Sequence, residues 1–127
     1  MEGKILEDER AEEFVSACRT TIGDQLRSVT YFTDDEFEQR YLRSDLEQDA
    51  DLTGFVDYES YGFDAHTAYR DTELGDYRST IRVFDNGFLL RVTTEDEGVF
   101  VTTDGVSIQD FKEVSSAVSS LLENRGT

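Results

Sequence analysis

Tyr77-Arg78-Ser79-Thr80-Ile81-Arg82-Val83-Phe84-Asp85-Asn86-Gly87-Phe88-Leu89-Leu90-Arg91-Val92-Thr93-Thr94-Glu95-Asp96-Glu97-Gly98-Val99-Phe100-Val101-Thr102-Thr103-Asp104-Gly105 is the stretch whose reading decides the fold. Ile81 and Val83 alternate with Arg78, Thr80 and Arg82, the period of a half-buried strand. Asn86-Gly87 is the strongest short hairpin signal, because both central residues of a type I′ turn need positive φ. Taken as the two loop residues, they set Phe84 opposite Leu89, Val83 opposite Leu90, Arg82 opposite Arg91 and Ile81 opposite Val92. A second turn at Glu95-Asp96-Glu97-Gly98 returns the chain and sets Val101 beside Val92. Ile81, Val83, Leu90, Val92 and Val101 then share one face. Thr80, Arg82, Phe84, Leu89, Arg91, Thr93, Phe100 and Thr102 share the other.

Two arginines facing each other across a strand pair repel, so Arg82 and Arg91 call for a cause. Either neighbouring carboxylates neutralise them while their stems cover apolar surface, or they form a site for an anion or a partner's carboxylate. On the second reading Arg82, Phe84, Leu89, Arg91 and Phe100 make an amphipathic interaction face.

Outward from this meander, the helical spacing of Ala11, Phe14, Val15, Cys18 and Ile22 predicts a helix over 7–20, ended near Gly23. Cys18 lies on the buried stripe and reads as a small hydrophobe. Residues 25–32 favour strand. Thr33-Asp34-Asp35-Glu36 fits either a turn or a helix-capping box, and Phe37 to Arg43 is read as the second arm of a hairpin. Ser44-Asp45 looks like the cap of a further helix carrying Leu46, Leu52, Phe55 and Val56. Ser107, with Asp110 three residues on, caps a final helix whose stripe is Ile108, Phe111, Val114, Ser115, Val118, Leu121 and Leu122. The order predicts one α+β domain over 1–127, with 1–6 and 124–127 frayed. Its five-stranded antiparallel sheet (α-β-β-α-β-β-β-α) carries the N- and C-terminal helices on one face.

Charge bounds the function. The chain has 29 Asp and Glu against 12 Lys and Arg, a formal charge of −17. Such a surface repels itself in dilute buffer, and salt screens that repulsion. Only Lys4 and Lys112 are lysine. Together these features predict adaptation to a salty cytoplasm, and they argue against nucleic acid, which needs a basic footprint. No apolar run reaches the length of a bilayer span, nor does the N-terminus hold a signal core, so no membrane partner is expected. With one cysteine and one histidine, neither a disulfide nor a cysteine-based zinc site is expected. Asp34-Asp35-Glu36 and Glu95-Asp96-Glu97 read as solvated turns, lacking calcium-loop spacing. No cofactor is expected.

From Asp57 to Asp76 the pattern loosens into a long connection. Tyr58, Tyr61, Phe63, His66 and Tyr69 form a candidate pocket there, or seal the edge of the core. His66 with Asp64 also permits a hydrolytic reading, although a surface histidine is the commoner state.

The order of elements is similar to the roadblock and longin family, and more loosely to profilin-like and PAS-like sensor domains. The former implies a homodimer through a sheet edge or the central helix, with a small GTPase or regulatory complex as partner. The latter implies a small-ligand pocket. Ile81 to Gly87, Gly98 to Gly105 and Tyr41 to Leu46 also resemble a group of short acidic haloarchaeal proteins, which implies host and compartment but no activity. The reading is therefore a non-enzymatic interaction or regulatory module binding a protein partner or itself.

Overall fold

A computed structural model describes residues 6–33, 35–48, 50, 72–75, 77–94 and 96–123. Helix α1 spans Asp8–Ile22, β1 Leu26–Phe32, β2 Phe37–Leu42, β3 Ser79–Phe84, β4 Gly87–Thr93, β5 Gly98–Thr103 and α2 Ile108–Glu123. The strands form one antiparallel sheet in the order β2-β1-β5-β4-β3. This is an α+β arrangement with both helices on one side of the sheet.

Local sequence accounts for the helix ends. Gly23 closes α1 at φ 56, a left-handed conformation that glycine adopts freely, and its N–H donates to the Arg19 carbonyl. At the start of α2 the Asp110 N–H donates to Ser107 Oγ at 3.1 Å, and the Ser107 N–H donates to Asp110 Oδ2 at 3.3 Å. That is the reciprocal capping box read from the sequence.

Phe14, Cys18, Val118 and Leu122 from the helices meet Val29, Tyr31, Leu90, Val92, Val99 and Val101 from the sheet. Each such apolar side chain contributes about 1.5–3 kcal/mol on burial. Cys18 is fully buried, and loss of solvent pushes its thiol up to about 12, so it is an inert part of this core. The opposite face of the inner strands is buried as well. The Phe32 and Phe100 rings lie 5.9 Å apart there, tilted by 46°, and the Ser28 and Thr102 hydroxyls share a 2.5 Å hydrogen bond.

The hairpin at 33–36 is confirmed: Phe32 pairs with Phe37, and the Glu36 N–H donates to Thr33 Oγ1 at 3.2 Å. Thr33 thus braces a turn instead of capping a helix. The helix start expected at Ser44 is a turn, in which the Leu46 N–H donates to the Arg43 carbonyl. The body of that helix, with Leu52, Phe55 and Val56, lies outside the described residues.

The central meander is shifted from its expected register. Phe84 pairs with Gly87, Val83 with Phe88, Arg82 with Leu89, Ile81 with Leu90 and Thr80 with Arg91. Asp85 and Asn86 are the loop. Gly87 is the first residue of β4, and β5 passes so close that a Cβ there would collide with the Thr103 carbonyl oxygen, so the position suits glycine. Arg82 and Arg91 therefore do not face one another. Between β4 and β5, Val92 pairs with Val99 and Leu90 with Val101, around a loop that begins at Thr94 instead of Glu95. Both shifts move pairing by two positions, so every side chain keeps its expected face.

One expectation about cover fails. The helices lie over β1, β4 and part of β2, and β3 extends beyond them. Ile81 is 38% and Val83 74% exposed, although they share a face with the buried Leu90 and Val92.

Candidate functional site

The five residues expected to form one interaction face divide between interior and surface. Leu89 and Phe100 are fully buried. Arg91 is buried too, donating to the Tyr77 hydroxyl at 3.0 Å and to Thr80 Oγ1 at 2.9 Å. Arg82 and Phe84 are exposed on the outermost strand. Tyr58, Tyr61, Phe63, His66 and Tyr69 lie outside the described residues.

What the structure places at the surface is the β3 edge. Among the described residues this strand pairs with β4 alone. Ile81, Val83 and Phe84 are 38%, 74% and 50% exposed along it. The other edge strand, β2, is more covered: Gln39 donates to the Ala50 carbonyl at 3.0 Å, and Arg40 binds Asp8, Glu38 and the Leu6 carbonyl. Natural sheets blunt their edges with charge or cover, and Arg82 is the one charged residue within β3.

Two concavities flank β3. A groove of about 610 Å³ runs between β3 and α2, with Ile81, Ile108 and Phe111 among its walls. A smaller one of about 390 Å³ lies at the β3–β4 turn, formed by Arg27, Phe84, Thr102 and Thr103 among others.

The polar clusters tie elements together. Arg10 forms a fork with Glu97, at 3.1 Å to Oε1 and 3.4 Å to Oε2, and also donates to the carbonyls of Leu121 and Leu122 at the end of α2. The Tyr31 hydroxyl donates to Glu97 Oε1 at 2.6 Å. Burial, with the Glu97 carboxylate beside it, pushes the Tyr31 phenol up to about 12. Glu97 is 1% exposed, which corrects its reading as part of a solvated turn.

At the opposite end of the sheet, Arg43 donates to Asp45 Oδ1 and Asp104 Oδ2, each at 2.6 Å, and to the Asp24 carbonyl at 2.8 Å. Its guanidinium holds both carboxyls below their ordinary range. Arg27 reaches Asp104 at 3.4 Å. Arg27 in β1 and Arg40 in β2 sit where the strand register slips, and such bulges re-aim a side chain. Sequence reading missed all these pairs, since abundant carboxylates hide which ones meet an arginine. Among the described residues no three His, Cys, Asp or Glu side chains converge on a possible metal position.

No helix among the described residues is long and apolar enough to cross a membrane. None of the curated proteins matches the sequence. Solved structures do share the fold. Myxococcus xanthus MglB is 12% identical with TM-score 0.57, covering 94% of this chain and 95% of that one. An MglB with tetrameric arrangement is 12% identical at 0.59, covering 97% of each chain. The gliding protein MglB from Thermus thermophilus is 12% identical at 0.59, covering 97% of this chain and 98% of that one. Residues 12–123 match DUF7522, described as a domain of unknown function, and the chain belongs to that family.

Proposed function

We propose that this chain is a non-enzymatic, single-domain interaction module of a high-salt cytoplasm that pairs with a second copy of itself, β3 against β3. The carrying observation is the apolar outer strand: Val83 and Phe84 are 74% and 50% exposed on a strand that, among the described residues, pairs with β4 alone. Antiparallel pairing across a twofold axis would extend the ladder through two copies and draw both side chains toward the seam. One similar structure is an MglB with tetrameric arrangement, and association between copies is carried to this chain on that likeness. A small GTPase or regulatory complex as a further partner rests on the fold family alone.

The non-enzymatic reading draws on how the polar groups are used. Arg10, Tyr31 and Glu97 hold helices to sheet, and Arg27, Arg43 and Asp104 close its other end. The net charge of −17 supports a salt-rich setting and a protein partner over nucleic acid.

Light scattering at about 2 M KCl, where surface repulsion is screened, tests the assembly. The mass should be twice the 14.5 kDa of one chain, and Val83→Lys should reduce it to one. A single-chain mass for the unaltered protein would remove the proposal.

One observation favours a second reading, a small-ligand sensor. The 390 Å³ concavity at the β3–β4 turn joins Arg27 and two threonines to the Phe84 ring, within the usual size range of ligand sites.

A further inference from the structure

Cations are scarce in this chain, and nearly all of those described are engaged. Arg10 is held by Glu97, Arg27 and Arg43 by Asp104, and Arg40 by Asp8 and Glu38. Arg91 is bound to Tyr77 and Thr80, the Arg19 guanidinium lies 5.7 Å from the Tyr41 ring centre, and Arg82 is engaged as well. Among the described residues, the side chains of Arg78 and Lys112 make no hydrogen bond, ion pair or ring contact. Both line the same 610 Å³ groove between β3 and α2.

Topology sets these two cations toward opposite ends of the groove. Phe111 meets Phe88 edge to face at 5.2 Å, and Phe88 pairs with Val83, so the first turn of α2, with Lys112, lies near the far end of β3. The last turn of α2 is tied through Arg10 to Glu97, beside the Val92 end of β4, where Ser79 pairs. Arg78 precedes Ser79 and so lies toward that end. Five residue steps of extended chain lead from Arg78 to Val83, about 17 Å. Ile81 lies between the two cations with Ser115, Ser116, Ser119 and Ser120 of α2, while Ile108 lies beyond Lys112; Ile81 and Ile108 are 38% and 64% exposed.

A groove with apolar patches at Ile81, Phe111 and Ile108, a row of serines along α2 and an unengaged cation toward each end is complementary, despite Glu123 at the Arg78 end, to an amphipathic segment bearing negative charge. The groove follows α2 for most of its length: Ile108, Lys112, Ser115, Ser119 and Glu123 all line it. We propose that this groove docks an acidic amphipathic helix of a protein partner, its apolar side on Ile81 and Ile108 and its carboxylates on Arg78 and Lys112. The lining residues all come from one copy, so this site does not require edge pairing through β3.

The test is selection from a displayed library of random peptides of about 16 residues, enough to run the length of α2, panned in molar KCl to suppress non-specific charge attraction. Enriched peptides should be net negative with apolar residues at helical spacing. Their affinity should fall about tenfold for the Arg78→Glu/Lys112→Glu double variant. Ser116→Trp, which fills the groove and leaves both cations in place, should block the same peptides. Enrichment of neutral or basic peptides, no enrichment, or binding indifferent to both variants would overturn the site. A dimer that persists while peptide selection fails would refute this inference and leave the edge-pairing proposal standing.

Discussion

Arg10 and Glu97, 87 positions apart in sequence, form a two-pronged ion pair at 3.1 and 3.4 Å in which the carboxylate is almost wholly out of water. Burying a carboxylate is costly unless it is paired and hydrogen-bonded, and Tyr31 supplies the further bond at 2.6 Å. The pair therefore secures α1, β1, the β4–β5 loop and the end of α2 in one cluster. Removing one member strands the other. Arg10→Met should cost about 3 kcal/mol in urea unfolding, within the range for broken buried pairs. Tyr31→Phe, which leaves the ion pair intact, should cost about 1 kcal/mol.

Alkaline pH should weaken the fold through the same cluster. Tyr31 has its folded pKa raised from 10.0 to about 12, and Cys18 from 9.0 to about 12. A raised folded pKa means the unfolded chain loses its proton first, so stability is fully present below pH 9 and declines toward pH 12. Tyr31→Phe should flatten the upper part of that decline in a series of unfolding curves.

The carboxyls of Asp45 and Asp104 respond in the opposite direction. Arg43 lowers both, so the unfolded chain binds protons more readily, and their contribution holds above about pH 4 and disappears as pH falls further. The stability difference between the parent chain and Arg43→Gln should be largest at neutral pH and shrink in acid. An unchanged difference at low pH would show that Arg43 acts by packing alone.

Gly98→Ala should destabilise by about 1–3 kcal/mol, the usual cost of overpacking. A Cβ there would lie 2.5 Å from Cζ of Phe32, whose ring is fully buried and has no room to withdraw. Thermal unfolding measures it. An unchanged midpoint would mean the Phe32 ring can shift.

Two nearly matching strings show how far local sequence reaches. Thr33-Asp34-Asp35-Glu36 and Thr94-Glu95-Asp96-Glu97 both form four-residue hairpin loops in which the threonine hydroxyl accepts the N–H of the last glutamate. That each region turns the chain was legible, the first as a hairpin favoured over a capped helix and the second as a turn placed one residue later, at Glu95 to Gly98. Their fates were not, because Glu36 is exposed while Glu97 is buried by Arg10 and Tyr31, which arrive from distant parts of the chain. The helices and the faces of the meander followed from periodicity, which survives a two-position slip. The register did not, since the close approach of Thr103 to Gly87 is a tertiary fact. For the same reason Leu89 and Phe100 looked like surface, while the exposure of Ile81 and Val83 reflects the reach of α2, which no pattern within β3 encodes.

Edge pairing is tested most directly by placing single cysteines in turn at Thr80, Ile81, Arg82 and Val83 and oxidising the protein in about 2 M KCl. In an antiparallel β3 pair, residues beside the twofold axis bring their Cα atoms to about 4.5–5.5 Å, within disulfide reach. The account predicts rapid covalent dimer at one or two adjacent positions and little at the rest. Equal, slow cross-linking at all four, or none at any, would contradict it.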